Sequence, residues 1–455
     1  MKKLTLVLAA LLLAFCFHPA RAVAQAPPGP IPPVAQQASP DSSHPPAPSA
    51  APQVSPQKIT AYTLPPDLYK KTERLSKIRL AFIIGGTIYG LIALWLILRL
   101  KIAPKYRGWA ERASSNLLVQ VLVFVPLLIL TIDALELPEN IYGHIVSRSY
   151  GLSVQGWGSW AWDWTKGEFV SVIIGIIGIA ILYAAIRKSP RRWWFYFWLA
   201  SLPLLAGLVF LQPLVIDPLF HKFEPLAQKD PALAAALEQM VQRAGENIPT
   251  ERMYLMGEAV KGTDLNAYVT GFGASKRMVV YDTTVAKMTT PEIVVTMGHE
   301  TGHYVLNHIP KGLAIGAIGL FITFYLGYRL LGGMLARWGG AWGIRGVDDL
   351  ASLPALLILL SIISFIGSPV SNAISRYFEH QADQYAIEVT HGLTPDAGQV
   401  AAQGFQVLGE TDLEYPDPSP LNVLMTYDHP PARDRVHFFL TYDPWSSGGT
   451  GEFVH

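Results

Sequence analysis

The chain contains 455 residues, of which 51% are hydrophobic and only 15% are charged, and its mean hydropathy is +0.29. Soluble globular proteins carry about 25% charged residues, so this composition indicates a membrane protein. The formal net charge is +1 and no basic domain stands out, which argues against nucleic acid as a partner. The single cysteine, Cys16, excludes a disulfide framework and a cysteine-based zinc site.

The first residues are typical of a secretion signal. Lys2 and Lys3 precede a short apolar run, 4–17, which is followed by the small-residue exit Ala20-Arg21-Ala22. We therefore predict a signal peptide at 1–26, with an uncleaved signal anchor as the alternative. Residues 27–57 are rich in Pro, Ala, Ser and Gln and contain few large apolar side chains, so we predict a disordered linker there.

Six apolar stretches are long enough to cross a bilayer whose hydrocarbon core is about 30 Å thick. Tryptophan and other aromatic residues cluster near their ends, as is typical of membrane interfaces. We therefore predict an integral multi-pass protein of the plasma or inner membrane, with an N-terminal membrane domain of about four transmembrane helices at 58–216. The six stretches are 80–100, 117–137, 169–186, 195–216, 312–334 and 353–371.

The part between 217 and 311 has a different pattern. Residues 231–244 predict an amphipathic helix, and three short runs at 253–256, 267–270 and 278–281 predict strands. Gly271 and Gly273 lie between the last two runs. Because the third glycine of a nucleotide-binding loop is missing, this spacing favours a hairpin turn.

Residues 299–303, His-Glu-Thr-Gly-His, form the HExxH pattern. Helical residues four apart share one face, so His299 and His303 can bind a single zinc ion. Glu300 is placed to take a proton from a zinc-bound water. The alternative is a chance coincidence of polar residues on an amphipathic helix.

The surrounding residues predict that this motif lies in the middle of a helix. Thr290 can cap the helix, and Pro291 suits its first turn. The helical pattern is predicted to continue until Pro310. The motif would then have the helical geometry that it requires.

Two histidines leave a catalytic zinc ion one protein ligand short. Glu379 and Asp383 are four residues apart, so Glu379 can bind the metal while Asp383 accepts the second N–H of a ligand histidine. Without the HExxH pattern, a solvated helix face with an Arg376–Glu379 pair would be the simpler interpretation. His308 is predicted to pack or hydrogen-bond at the helix end and not to bind the metal.

Several motifs together resemble the type I CAAX prenyl protease family of integral-membrane zinc metalloproteases. They span roughly 60–440 and include Asn266-Ala267-Tyr268, the HExxH pattern, Phe378-Glu379-His380-Gln381-Ala382-Asp383 and the run 429–435. The resemblance implies a mainly α fold, a polytopic helical bundle or chamber with a zincin-like domain that contains a small β-sheet or hairpin. It also implies a metalloprotease domain at 217–440, including two further transmembrane helices, and a C-terminal tail at 441–455.

The resemblance implies a role for each matching residue. It implies one Zn²⁺ ion per chain and Glu300 as general base and acid. Asp383 and Arg435 would contact the metal ligands on the side away from the metal and hold them in position. The implied ligands are His299, His303 and Glu379.

The resemblance also implies how substrate is held. Asn266, Ala267 and Tyr268 would lie on an edge strand that pairs with extended substrate backbone. His429 and Arg435 would border the cleft, and one of them would stabilise the oxyanion; we favour His429.

The distribution of Lys and Arg along the chain leaves two orientations in the membrane open. If the cationic loops at 99–112 and 187–192 stay in the cytoplasm, the protease domain lies outside, and the sequence slightly favours this orientation. The family resemblance and the basic residues between 58 and 79 favour a cytoplasmic site.

We expect a membrane-embedded zinc metalloendopeptidase. Its substrates would be peptides or proteins, either prenylated C-termini or membrane proteins under quality control. The alternatives are a catalytically idle peptide-binding scaffold, although every site residue is present, and a transporter with structural zinc, although the spans show no internal duplication. A Gly-x-Ser-x-Gly motif is absent, which excludes a common serine hydrolase class. The sequence predicts no oligomeric state.

Overall fold

The computed structural model describes residues 58–271 and 275–454, so the predicted signal peptide, the predicted linker and Cys16 lie outside the described residues. The helices, in chain order, are α1 (Pro66–Arg99), α2 (Ile102–Ala113), α3 (Leu117–Tyr150), α4 (Trp157–Lys188), α5 (Trp193–Leu211), α6 (Asp217–Phe220), α7 (Leu226–Lys229), α8 (Pro231–Arg243), α9 (Asp282–Lys287), α10 (Thr290–Val305), α11 (His308–Trp342), α12 (Leu353–Thr390), α13 (Ala397–Thr411), α14 (Pro420–Thr426) and α15 (Ala432–Thr441). The strands are β1 (Phe223–Pro225), β2 (Met253–Met256), β3 (Ala267–Thr270) and β4 (Arg277–Tyr281).

Five of the described helices are long and apolar enough to cross a membrane: α1, α3, α4, α11 and α12. They contain 32 to 38 residues each. At 1.5 Å per residue they are about 48 Å long or more, so their ends extend beyond a hydrocarbon core of about 30 Å. The membrane domain is built where α3 and α4 pack with the ends of α1, α11 and α12.

The sixth predicted span, 195–216, folds differently from the other five. It forms α5, which has 19 residues, followed by a π-helical turn over Gln212–Ile216. The aromatic residues of α5 pack against α11: Trp194 contacts the rings of Phe321 and Tyr325, and the indole of Trp198 donates to the carbonyl of Ala317 at 2.8 Å. Within the described residues, the six predicted spans thus correspond to five long helices and this shorter one.

The strands form one four-stranded sheet in the order β1-β2-β4-β3. β2 and β4 are parallel, whereas β1 and β3 each pair antiparallel with their neighbour. Three strands and the β3–β4 hairpin match the predicted runs, and residues 272–274 of the hairpin turn lie outside the described residues. The three-residue strand β1 was not predicted because it is too short to show an alternating pattern.

One face of the sheet packs on α8 and α10. Met253, Met278 and Val280 lie on this face, in one buried cluster with Leu237 of α8 and Met297 of α10. This core holds α10 directly beneath the sheet. β3 is the edge strand on the side of α10.

The ends of α10 differ from the prediction. The N-cap is Thr289 and not Thr290, and a capping box with Glu292 supports it, since the Thr289 N–H donates to Glu292 Oε2 at 2.6 Å. The helix ends at Val305 and does not continue to Pro310. Asn307 adopts a left-handed conformation with φ of 57°, which asparagine tolerates better than most residues, and Pro310 then lies in the first turn of α11.

α12 extends from the membrane-spanning bundle to α10. Its N-terminal half is the apolar stretch predicted as the last span, and the same continuous helix carries Glu379 and Asp383. No loop therefore separates the bilayer-spanning part from the side chains that face α10. The predicted mainly α membrane bundle with a small sheet is confirmed.

Candidate active site

Three predicted ligands converge on one point. His299 Nε2 lies 3.1 Å from His303 Nε2 and 3.2 Å from Glu379 Oε2, and His303 Nε2 lies 3.7 Å from Glu379 Oε1. A tetrahedral zinc ion with bonds of about 2.0–2.1 Å separates its ligand atoms by about 3.3 Å. Within the described residues, His299, His303 and Glu379 form a group whose ligand atoms lie close enough together to hold one metal ion.

The chemistry of the cluster also fits a cation. Glu379 is buried, and neither of its carboxylate oxygens makes a hydrogen bond of normal geometry within the described part of the chain. A buried carboxylate is costly unless a cation or hydrogen bonds compensate it. Two imidazole nitrogens and one carboxylate are a common ligand set of catalytic zinc. These residues therefore fit a metal ion.

The protonation behaviour of the two histidines agrees with this assignment. Burial lowers the pKa of His303 well below its usual value, so the ring is neutral at pH 7, the form that binds metal. Burial acts the same way on His299, but its contacts with Asp383 and Glu379 outweigh it and raise the pKa to about 9. The carboxylates that favour a proton on His299 equally favour a metal cation beside it.

His299 is oriented from behind by Asp383. Its Nδ1 lies 2.8 Å from Asp383 Oδ1, so an Nδ1–H donor leaves Nε2 free to face the metal point. Arg435 in turn holds Asp383, with Nε donating to Oδ2 at 2.8 Å. Arg435 is buried on the far side of the His299 ring, so the expectation that it borders the cleft was wrong.

His303 is oriented by a residue to which the sequence had assigned no such role. Its Nδ1 lies 2.9 Å from His308 Nδ1, and His308 Nε2 lies 3.2 Å from Gln381 Oε1. The His308 ring also stacks on Phe378 with a centroid distance of 4.6 Å. Prediction of the chain reversal at Asn307 would have revealed this contact, because the reversal returns His308 to the site.

Glu300 lies at the open side of the ligand cluster. Its Oε1 is 4.0 Å from His299 Nε2, and its side chain is 17% exposed whereas that of Glu379 is 1% exposed. A carboxylate near the metal point and open to solvent can exchange protons with a water held there. This is the placement that a general base requires.

His429 lies at the rim of the cluster. Its Nε2 is 3.0 Å from Glu379 Oε2, its Nδ1 is 2.9 Å from Asp428 Oδ1, and its side chain is 23% exposed. A donor nitrogen at the rim of a metal site can reach a negatively charged oxygen on a bound substrate.

Close packing of α10 against α12 brings the two halves of the site together. A Cβ atom placed on Gly302 would lie 2.9 Å from a ring carbon and 3.1 Å from the Cβ of Tyr385. A Cβ atom on Gly298 would lie 3.1 Å from Val389. Glycine in the HExxH segment thus permits the approach that puts Glu379 beside the histidines.

The predicted substrate residues lie next to this helix. Ala267 and Tyr268 begin the edge strand β3, and Asn266 immediately precedes it. The Tyr304 hydroxyl, one residue after His303, donates to the carbonyl of Gly271 at 3.1 Å. This hydrogen bond holds the C-terminal end of β3 against α10. It therefore fixes the distance between the free edge of the sheet and the metal ligands of α10.

Two family models match the chain. The model described as peptidase family M48 matches residues 227–442, which include every residue of the metal cluster. The model described as CAAX prenyl protease N-terminal, five membrane helices, matches residues 50–222, which include α1 to α5.

Curated relatives match over most of their length. An uncharacterized metalloprotease, YhfN, of Bacillus subtilis is 36% identical, over 74% of this chain and 76% of that protein. CAAX prenyl protease 1 of Saccharomyces cerevisiae is 26% identical, over 72% of this chain and 79% of that protein.

A solved structure has the same fold. The crystal structure of S. mikatae Ste24p matches with a TM-score of 0.72 and 22% sequence identity, over 83% of this chain and 90% of that chain. The resemblance seen in the sequence motifs is therefore confirmed. The chain belongs to peptidase family M48, as an integral multi-pass membrane metalloprotease.

Proposed function

We propose that this chain is a zinc endopeptidase whose metal is held by His299, His303 and Glu379. The observation that carries the proposal is the convergence of these side chains, with Nε2 atoms 3.1 Å apart and a buried carboxylate that makes no hydrogen bond of normal geometry in the described residues. A bound zinc ion supplies Lewis acidity and lowers the pKa of a water molecule to about 7. Zinc is the metal proposed because it favours nitrogen and carboxylate ligands in this number.

The residues of the chain would carry the proton transfers. Glu300 takes a proton from the attacking water while the water oxygen bonds to the scissile carbonyl carbon. Glu300 then returns that proton to the departing nitrogen as the C–N bond breaks, so the products are a carboxylic acid and an amine, which exchange a proton to give a carboxylate and an ammonium group. His429 is proposed to donate to the carbonyl oxygen while it carries negative charge. Asp383 and Arg435 keep His299 in the tautomer that leaves Nε2 unprotonated.

We propose that substrate binds as an added strand along β3. Asn266, Ala267 and Tyr268 would form its contact surface, since an edge strand offers main-chain groups to an extended peptide. Two substrate classes fit: prenylated C-termini, as the names of several relatives indicate for those proteins, and membrane proteins under quality control.

The domain division is also a proposal. The N-terminal membrane domain would occupy 58–216 and the metalloprotease domain 217–440, with 441–455 as a tail. The two family matches are separated by a gap at 223–226, which begins six residues after the start of the proposed metalloprotease domain.

Glu300→Gln tests the proposed function. It removes the general base but keeps the side-chain shape and the three metal ligands, so we expect full metal content and a loss of hydrolysis of about 10²- to 10⁴-fold. Metal content is measured on purified protein, and hydrolysis with a fluorogenic peptide. Glu292→Gln, in the capping box of the same helix, is the matched control and should keep most activity.

Comparison of new protein termini in cells that carry the active chain or Glu300→Gln would then identify substrates. New termini created next to prenylated cysteines would support the first substrate class. New termini created inside membrane proteins would support the second. Undiminished hydrolysis by Glu300→Gln would contradict the proposal and favour a peptide-binding scaffold.

A further inference from the structure

Three chain connections meet at the end of the helical bundle that is remote from the metal site. They are residues 99–117, 187–193 and 337–349, and we call them together the basic end. Arg107 donates to the carbonyl of Gly343 at 3.1 Å, and Arg187 donates to the carbonyl of Asp348 at 3.5 Å. These contacts join the three connections into one surface.

The basic end carries a large excess of positive charge. Its three segments contain eleven Lys and Arg residues and three Asp and Glu residues. The rest of the described chain contains twenty-one Lys and Arg and thirty Asp and Glu. The basic end and the rest of the described chain therefore differ in the sign of their formal charge, although the formal net charge of the whole chain is only +1.

The basic end and the metal site lie too far apart to share one side of a membrane. α12 begins at Leu353 beside the basic end, and Glu379 follows 26 residues later on the same helix. At 1.5 Å per residue this separation is about 39 Å, which exceeds a hydrocarbon core of about 30 Å. α4 likewise runs from Trp157, near the protease domain, to Lys188 at the basic end.

Most of the cationic side chains at the basic end face solvent and lie beside an amphipathic helix. In α2, Ala103 and Ala110 are fully buried, whereas the Trp109 side chain is 47% exposed. Exposed cations next to an interfacial tryptophan fit the anionic phospholipid headgroups of a cytoplasmic leaflet. The exposed cationic residues are Arg99, Lys101, Lys105, Arg112, Arg187, Lys188, Arg191, Arg192, Arg337 and Arg345.

Two of the basic residues that precede the first span have partners in the protein. Arg79 donates to the carbonyl of Asp412 at 2.9 Å, and Lys77 pairs with Glu73 at 2.7 Å. Residues 410–417, against which α1 begins, contain four acidic residues. Arg79 is thus part of the contact with the protease domain, and segment 58–79 carries six Lys and Arg and two Asp and Glu residues, a smaller excess of positive charge than at the basic end.

We infer that the basic end is the cytoplasmic face of the molecule, in contact with anionic headgroups, and that the metal site opens on the opposite side of the membrane. The cationic bias of short loops sets the orientation of multi-pass proteins, because such loops resist translocation. This inference goes beyond the proposed function and does not depend on hydrolysis.

The sequence contains one cysteine, Cys16, so single-cysteine labelling can test the orientation. In full-length Cys16→Ser, either Val260→Cys or Arg191→Cys is introduced. Val260 is 78% exposed between β2 and β3 on the protease side, and Arg191 is exposed at the basic end. A membrane-impermeant maleimide should label Val260→Cys in intact spheroplasts, and Arg191→Cys only after detergent is added.

Labelling in detergent gives the total for each variant and corrects for expression. The reverse pattern, or labelling of both positions in intact spheroplasts, would overturn the inference. Because the measurement does not use activity, its outcome is independent of whether Glu300→Gln abolishes hydrolysis.

A second comparison tests whether the cationic surface causes the orientation. Replacing Lys188, Arg191 and Arg192 together by Gln should lower the labelled fraction of Val260→Cys in intact spheroplasts at least two-fold. Replacing Lys70, Lys71 and Lys77 by Gln removes the same charge from the protease side and should leave that fraction unchanged. An equal or larger effect of the second set would overturn the assignment of the basic end.

Discussion

His308 shows how one side chain can matter to a metal site without touching the metal point. Its Nδ1 lies 2.9 Å from His303 Nδ1, and its Nε2 lies 3.2 Å from Gln381. This arrangement is consistent when His303 donates through Nδ1–H, His308 accepts through Nδ1, and the other nitrogen of His308 donates to Gln381. Each hydrogen bond fixes the tautomer of the next ring. As a result, His303 Nε2 keeps a free lone pair.

His308→Ala should lower metal affinity by about 10- to 100-fold, because His303 loses the partner that fixes its tautomer. His308→Asn places a carbonyl oxygen near the lost Nδ1 and should restore most of the affinity. The measurement is competition with a chromogenic chelator on purified protein. Replacement of the exposed His437 by Ala is the control for loss of an imidazole elsewhere. Equal affinity for His308→Ala and the native chain would contradict a positioning role.

At the scale of elements, the site depends on how closely α10 and α12 pack. His299 and His303 lie on α10, whereas Glu379 lies on α12, so the third ligand reaches the histidines only through the contact between the two helices. Gly298 and Gly302 keep this contact close, because the neighbouring side chains of α12 occupy the space that a larger residue would need. A small increase in the distance between these helices would separate the ligands.

Gly302→Ala should disturb the site through packing alone. The added methyl group would lie 2.9 Å from the Tyr385 ring, and overpacking of this kind costs about 1–3 kcal/mol. Because the strain falls on the contact that positions Glu379, we expect metal affinity to fall by about 10-fold or more. The readouts are metal affinity and the thermal midpoint in detergent. Gly312→Ala, where a Cβ atom meets nothing within 4 Å, is the matched control and should change neither.

The edge strand β3 allows a second test at this scale. The carbonyl of Asn266 accepts from Tyr281 of β4, so strand alternation directs the main-chain groups of Val269 away from β4. Val269→Pro removes one outward N–H and should lower kcat/KM for extended peptides by roughly 5- to 10-fold, about the value of one hydrogen bond. Val269→Ala loses similar side-chain packing but keeps the N–H, so it should retain activity. Equal losses in both variants, with metal content unchanged, would argue against strand addition.

At the scale of the whole molecule, the metal would connect segments that are far apart in the chain. His299 and His303 follow the sheet, whereas Glu379 comes after α11 and most of α12. A ligand that binds only the folded arrangement stabilises it by about 2.7 kcal/mol at 100 times its Kd. The metal should therefore contribute to stability as well as to chemistry.

Chelation should lower the thermal midpoint of the detergent-solubilised chain, and added zinc should restore it. Glu379→Gln should start from a lower midpoint and show little response to chelator or zinc, because the third ligand is lost. Thermal unfolding followed by tryptophan fluorescence measures both effects. A midpoint that is insensitive to chelator in a protein shown to lose its metal would mean that the site does not join α10 to α12 energetically.

Local patterns in the sequence predicted what depends on neighbouring residues. The period of the apolar residues predicted the membrane helices and the strands, and the four-residue spacings of HExxH and Glu379-x-x-x-Asp383 predicted which side chains share a helical face. These features follow from backbone geometry, which is the same wherever the segment lies. The short strand β1 and the exact ends of α10 were not predicted, because too few residues determine them.

Only the tertiary structure decided how distant segments meet. It decided between the two positions expected for Arg435 by placing it behind Asp383, returned His308 to His303 through the left-handed Asn307, and gathered three cationic connections at one end of the bundle. Each of these outcomes depends on contacts between residues that no local spacing relates. The sequence by itself therefore determined the chemistry available to this metalloprotease, and packing decided where that chemistry lies and which side chains hold it in place.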